Sequence, residues 1–226
     1  IDLISSNEED TVDNLYNNDL DIYDRSKTGI AGISHQYLID NSSYTKFTLA
    51  ASYVMNSDLI DSISPETLDP VPYYSQNFTQ TKIAGNFFYK KKFNTKHNLQ
   101  IGVRFDEFLV DIIDSIYRST IDRYITLTEY DGNTFLLQPY AQYQYRVSDK
   151  MSLNAGLHYQ YLGLNGSSSL EPRAGIKYQI NEKNALSFGY GLHSMMAPIA
   201  TYFKTVEAGV GNYITPNDSI DFVKAH

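Results

Sequence analysis

MSLNAGLHYQYLGLNGSSSLEPRAGIKYQI, residues 151–180, decides the fold class. Leu153, Ala155, Leu157, Tyr159 and Tyr161 recur at every second position, with Asn154, Gly156, His158 and Gln160 between them. Successive strand side chains point to opposite sheet faces, so this period of two builds one apolar and one polar face. The second half repeats it: Pro172, Ala174, Ile176, Tyr178 and Ile180 alternate with Arg173, Gly175, Lys177 and Gln179. Pro172 stands near a strand start, where a missing N–H costs least.

The same alternation extends outward. Ala141, Tyr143, Tyr145 and Val147 alternate with Gln142, Gln144 and Arg146, after Pro139. Leu99, Ile101, Val103 and Phe105 alternate with Gln100, Gly102, Arg104 and Asp106. Weaker versions lie at 30–39, 45–54, 81–93 and 185–193, which makes about eight strands. No helical period of comparable strength appears. Short turns are expected near 40–45, 94–98, 148–150 and 181–184. Long polar loops are expected near 55–80, 110–134 and from 194 on, with a shorter one at 163–170. Four hairpins whose connections alternate short and long match a transmembrane barrel, which has short turns at one rim and longer loops at the other. The sequence therefore predicts an all-β, antiparallel transmembrane β-barrel segment of about eight strands over 28–226. Apolar residues would face lipid and polar ones the lumen. A small passive barrel or porin, and a soluble β-sandwich binding module, are the competing readings.

Composition agrees with an interface. The 226 residues include 20 Tyr and 11 Phe, and Tyr suits a boundary between water and an apolar phase. No run approaches the ~18 apolar residues of a membrane helix, but a barrel strand needs only ~9–11 residues. The net charge of −8 argues against a nucleic-acid partner. Cysteine is absent, which removes disulfides and thiolate metal sites. Residues 1–27 carry eight acids and read as a solvated acidic loop. A Ca²⁺ site built from Asp19, Asp21 and Asp24 is the sharper reading there, without an EF-hand glycine pattern to support it.

The stretch from Met151 to Phe203 resembles TonB-dependent outer-membrane receptors of the Bacteroidetes type. LNAGLHYQY, SLEPRAGIKYQI with Glu171, Pro172 and Arg173, and NALSFGYGLHS leading into a Met/Pro/Tyr-Phe loop carry the resemblance. GISHQYLID and NLQIGVRFDEF are similar in style. The resemblance implies a place in the bacterial outer membrane and a 22-stranded barrel plugged by a globular domain. It also implies energy-coupled import of a scarce ligand: siderophore, haem, oligosaccharide or peptide. The chain is expected to be part of that barrel, with the plug domain absent from it. The implied partners are outer-membrane lipid and lipopolysaccharide, and the TonB complex acting through the plug.

Candidate lumen-facing residues are Arg104, Gln142, Gln144, His158, Arg173 and Lys177, expected to line the ligand route or hold the plug. His35, His97, His158, His193 and His226 show no metal-ligand spacing. There is no G-x-S-x-G elbow, Walker A motif or strand-to-helix GxGxxG, and neighbours Asp106 and Glu107 point to opposite strand faces. No catalytic residue, metal or cofactor is assigned, and the chain is not expected to be an enzyme. Loop 110–134 mixes Tyr with both charges, as an adaptable recognition surface does. Ser194–Phe203 is unusually apolar for a loop. It is expected to pack against neighbouring loops, with folding over the barrel mouth and contact with a surface lipoprotein as its alternatives.

Overall fold

A computed structural model describes residues 20–64, 66–209 and 211–225. Its framework is β1 (Leu20–Asp40), β2 (Ser43–Ile63), β3 (Pro70–Lys92), β4 (His97–Arg118), β5 (Arg123–Arg146), β6 (Met151–Leu162), β7 (Ser168–Gln179) and β8 (Ala185–Gly191). These pair antiparallel in sequence order as one eight-stranded sheet, in which β1 and β8 are the edges. The remainder is β9 (His193–Met195), the single-turn helix α1 (Ile199–Tyr202), β10 (Val206–Gly209), β11 (Asn212–Ile214) and β12 (Val223–Ala225). β10 pairs with β11, and β12 with β9.

The register assigns the faces. Gln100, Gln142 and Gly156 lie opposite one another across β4, β5 and β6, and Gly156 faces Arg173 on β7. This row belongs to the inner face, defined here as the one on which residues 193–225 rest. Its neighbours Leu99, Ile101, Val103 and Phe105 point outward. Ile33, Phe47, Leu49, Ile83, Phe87, Ile101, Phe105, Leu157, Phe188 and Tyr190 are all exposed on that outer side. Such an uncovered apolar band around a whole sheet fits lipid and not water. A two-sheet sandwich would bury it, but the eight long strands form one layer. Among the described residues no helix is long and apolar enough to cross a membrane. Rings mark both borders of the band. His97 stacks on Tyr145 near the short turns, and Phe105, Phe135 and Tyr161 form a row nearer the other end.

Three expectations need correction. The long loops at 55–80 and 110–134 are mostly strand, with connections at only 64–69 and 119–122. β2 to β5 are 21 to 24 residues long, or about 70–80 Å at ~3.3 Å per residue. Their polar ends continue the ladder beyond the apolar band, because backbone pairing does not need apolar side chains. The acidic stretch 1–27 is likewise not all loop. β1 starts at Leu20, and Asp21 and Asp24 sit on opposite strand faces, so they cannot converge on calcium; residues 1–19 lie outside the described residues. Finally, the apolar-outside rule holds for only part of β4. On β4 the inner positions turn apolar from Phe108 through Val110 to Ile112, all buried, while the outer positions mix Glu107 and Asp111 with exposed Leu109 and Ile113.

The inner apolar patch is the only extended core among the described residues. Phe108, Val110, Ile112, Leu136 and Leu162 are covered by Ile199, Tyr202 and Phe222. Tyr130 and Phe203 stack with ring centroids 3.8 Å apart. Asn165 Nδ2 donates to the carbonyls of Asp218 and Ile220. Burial pushes the Tyr202 phenol up. Thus Ser194–Phe203 folds inward over this end of the sheet.

Gly102 fixes a close approach. A Cβ there would lie 2.7 Å from the Phe87 carbonyl oxygen and 2.7 Å from Tyr140, whose ring crosses the vacancy. Gly102→Val is expected to displace Tyr140 and destabilise the protein by about 1–3 kcal/mol, read from chemical unfolding in detergent. Gly85, where a Cβ would meet nothing closer than 3.8 Å, is the control, and Gly85→Ala should cost little.

Candidate functional site

Antiparallel pairing of β6 with β7 sets His158 opposite Glu171, and Gly156 opposite Arg173. All four are inner-face positions. Glu171 is 1% exposed, and a carboxylate so buried is costly unless its oxygens are satisfied. One oxygen accepts from Arg173 Nη2 at 2.6 Å and contacts His158 Nδ1 at 3.0 Å. The other accepts from Gln160 Nε2 at 2.5 Å, from the Ser194 backbone N–H at 2.9 Å and from Ser194 Oγ at 2.5 Å. Gln160 also donates to the Ser194 carbonyl, and its own amide oxygen accepts from Gln138 Nε2 at 2.9 Å.

The network therefore runs from β5 to β9 and centres on one anion. It joins the wall to the inward-folded segment through backbone as well as side chain, so Ser194 is fixed in position and orientation. Next to it Lys82 bridges Asp106 at 3.1 Å and lies 5.2 Å from the Phe108 ring centroid. Glu107, on the opposite face, accepts from Asn133. A cavity of about 710 Å³ opens between wall and segment, bordered by Lys82, Arg104, His158, Glu171, Arg173 and Met196 among others.

Two further cavities lie toward the short turns. One of about 420 Å³ is lined by Lys90, Asn98, Gln100, Gln142, Gln144, Asn154 and Arg173. One of about 300 Å³ is lined by Arg104, Tyr140, Gln142, His158 and Arg173. Of the residues singled out from sequence, Arg104, Gln142, Gln144, His158 and Arg173 thus border shared space. Lys177 lies two inner-face positions nearer the rim than Arg173 and borders none of these three cavities.

Sequence reading missed Glu171, Gln160, Gln138 and Ser194 as a unit. Alternation places Gln160 and His158 on one face, but the β6–β7 register that brings Glu171 against them depends on turn 163–167. Ser194 arrives from a segment without periodicity. The hairpin over 110–134 is also not a free loop: its inner face is core, and its tip bonds Tyr117 to Asp122. His35 faces outward on β1, and His97 contacts Tyr143 Oη at 2.5 Å. His226 lies outside the described residues.

The profile of the family described as TonB dependent receptor-like, beta-barrel matches residues 3–220. The chain belongs to that family. Its members are outer-membrane transport receptors, and the single antiparallel sheet with almost no helix is consistent with a fragment of such a barrel. No curated protein matches the chain.

Glu171→Ala removes the acceptor shared by five donors. It should cost about 1–3 kcal/mol and release residues 193–203 from the wall. Faster amide hydrogen exchange confined to that segment, in the receptor held in detergent, would report the release. Unchanged exchange would mean that the apolar packing alone holds it.

Proposed function

We propose that this chain is part of the wall of an energy-coupled receptor in the bacterial outer membrane, of the Bacteroidetes type. The observation that carries this reading is the outward apolar band on all eight strands, backed by a polar, cavity-bearing inner face, in a chain of the TonB-dependent receptor family. A sheet edge in lipid leaves backbone groups unsatisfied. Among the described residues β1 and β8 are both edges, so closing the wall takes further strands, up to the 22 of a full receptor barrel. That requirement disfavours a small eight-stranded porin, which would pair β1 with β8.

In this reading ligand is captured at the end bearing the long hairpins and passes along the inner face once a plug domain rearranges. TonB engages that plug, and the barrel performs no chemistry on its cargo. The ligand is a small molecule or an oligomer: a siderophore, haem, oligosaccharide or peptide. The outer band contacts membrane lipid, and the projecting hairpins stand at the level of lipopolysaccharide.

Cross-linking in native outer membranes tests this. The intact receptor should form a covalent adduct with TonB when cells are treated with a short bifunctional reagent, and the adduct should increase with ligand-containing medium. Absence of an adduct, while another TonB-dependent receptor in the same cells gives one, would refute the reading.

A further inference from the structure

Under the covering segment the wall holds two polar groups whose hydrogen bonding is incomplete. Gln76, Asp114 and Thr128 lie side by side on one inner-face row of β3, β4 and β5. Asp114 is 4% exposed and Thr128 6%. Lys204, in the link between α1 and β10, reaches Asp114 Oδ2 at 3.5 Å with an exposed side chain. Asp114 Oδ1 and Thr128 Oγ1 are buried without a hydrogen-bond partner. A cavity of about 230 Å³ adjoins them, between Gln76, Asp114 and Thr128 on the wall and Phe203, Lys204 and Asn217 on the segment. Both of its sides belong to this chain. The two atoms are already shut off from solvent, so no further strand or domain is needed to enclose them.

A buried carboxylate is costly unless its oxygens are satisfied. Lys204 does this poorly. Its reach of 3.5 Å exceeds the ~2.7–2.9 Å of a good charge-assisted bond, and an exposed lysine gains little from one such contact. A single water could answer one of the atoms, but the cavity is several times the ~30 Å³ that a water takes up. A divalent cation needs many oxygen ligands, and Asp114 is the only carboxylate lining this space. Anions are repelled by Asp114, and by Asp58, which lies across Gln76 on the same row. A primary ammonium fits: it has three donors, and Asp114 Oδ1, Asp114 Oδ2 and Thr128 Oγ1 are three acceptors.

We infer that Asp114 and Thr128 form a subsite for cargo bearing a primary ammonium group, and that Lys204 of the covering segment holds this subsite until such cargo displaces it. The inference rests on the transport reading above and names the class of cargo. The Lys204 side chain is itself a tethered butylammonium, so the chain fills the site with its own copy of the ligand group. When Lys204 and Phe203 swing aside, both orphaned atoms become reachable. The amides of Gln76 and Asn217 border the space for the polar body of the ligand.

Ligand-observed NMR titration of the complete receptor, in an uncharged detergent at neutral pH and low salt, tests this. The probes are n-butylammonium, which reproduces the Lys204 side chain, and butan-1-ol, its uncharged counterpart. Lys204→Ala vacates the site, so n-butylammonium should bind that variant about tenfold more tightly than the unaltered receptor. Butan-1-ol should bind both alike. Bound n-butylammonium should also slow amide exchange across 199–205 in Lys204→Ala. Adding Asp114→Asn should remove the gain in a receptor that still folds, shown by the heat-dependent shift of its electrophoretic mobility. Thr128→Val, which keeps the carboxylate, should reduce the gain, and it decides the matter if Asp114→Asn does not fold. Equal affinity with and without Lys204 would overturn the inference. So would a gain shared by butan-1-ol, or one untouched by Asp114→Asn or by Thr128→Val, since the cavity would then be apolar space or hold only water. Any of these with TonB cross-linking intact would remove this inference and leave the transport reading standing.

Discussion

Backbone hydrogen bonding in a place without water governs this molecule. A strand in lipid must find every N–H and C=O partner in its neighbours, and the β1-to-β8 ladder does so for the strands between its two edges. Once the ladder is fixed, the pleat dictates the rest: every residue goes to the lipid side or to the inner side. The exposed Ile, Leu and Phe of the outer band and the amide-rich cavity lining are consequences of one register.

The same register explains why polarity reverses along the strands. Where lipid ends, the outer face meets water, and Glu107 and Asp111 appear on it. The inner face there can be apolar because residues 193–225 cover it, and Phe108, Val110 and Ile112 are buried. The Glu171 network sits where the two regimes meet. Its satisfied carboxylate joins the covering segment to the wall, with apolar packing on one side and open polar cavity on the other. On β5, for example, the inner face passes from covered Leu136, through Gln138 of the network, to exposed Arg146 near the short-turn rim.

Much of this was legible in sequence. The period of two in 99–106, 140–147, 151–161 and 172–180 identified strands and their faces, because a half-exposed strand has to alternate. Arg104, Gln142, Gln144, His158 and Arg173 fell together for the same reason. Strand length was not legible. Beyond the band the alternation blurs, since both faces of 110–118 mix acids with aliphatics, and polar strand then looks like loop. Glu171 was not picked out as the centre of a network because its partners come from three strands, and Ser194 reaches it from a segment without period. The inward docking of Ile199 and Tyr202 depended on a patch whose polarity opposed the rule that had located the strands.

The reversal of faces is the central claim, and a nitroxide scan along β4 addresses it most directly. These 226 residues hold no cysteine, and single cysteines from 99 to 113 can be labelled in the complete receptor in liposomes once any cysteine elsewhere in it is replaced. Collisions with oxygen report lipid, and collisions with a water-soluble nickel chelate report water. The account predicts oxygen access at 99, 101, 103 and 105, chelate access at 100 and 104, and chelate access at 107 and 111. Positions 108, 110 and 112 should be shielded from both reagents. Oxygen access at 108, 110 and 112, or one unbroken alternation from 99 to 113, would contradict it.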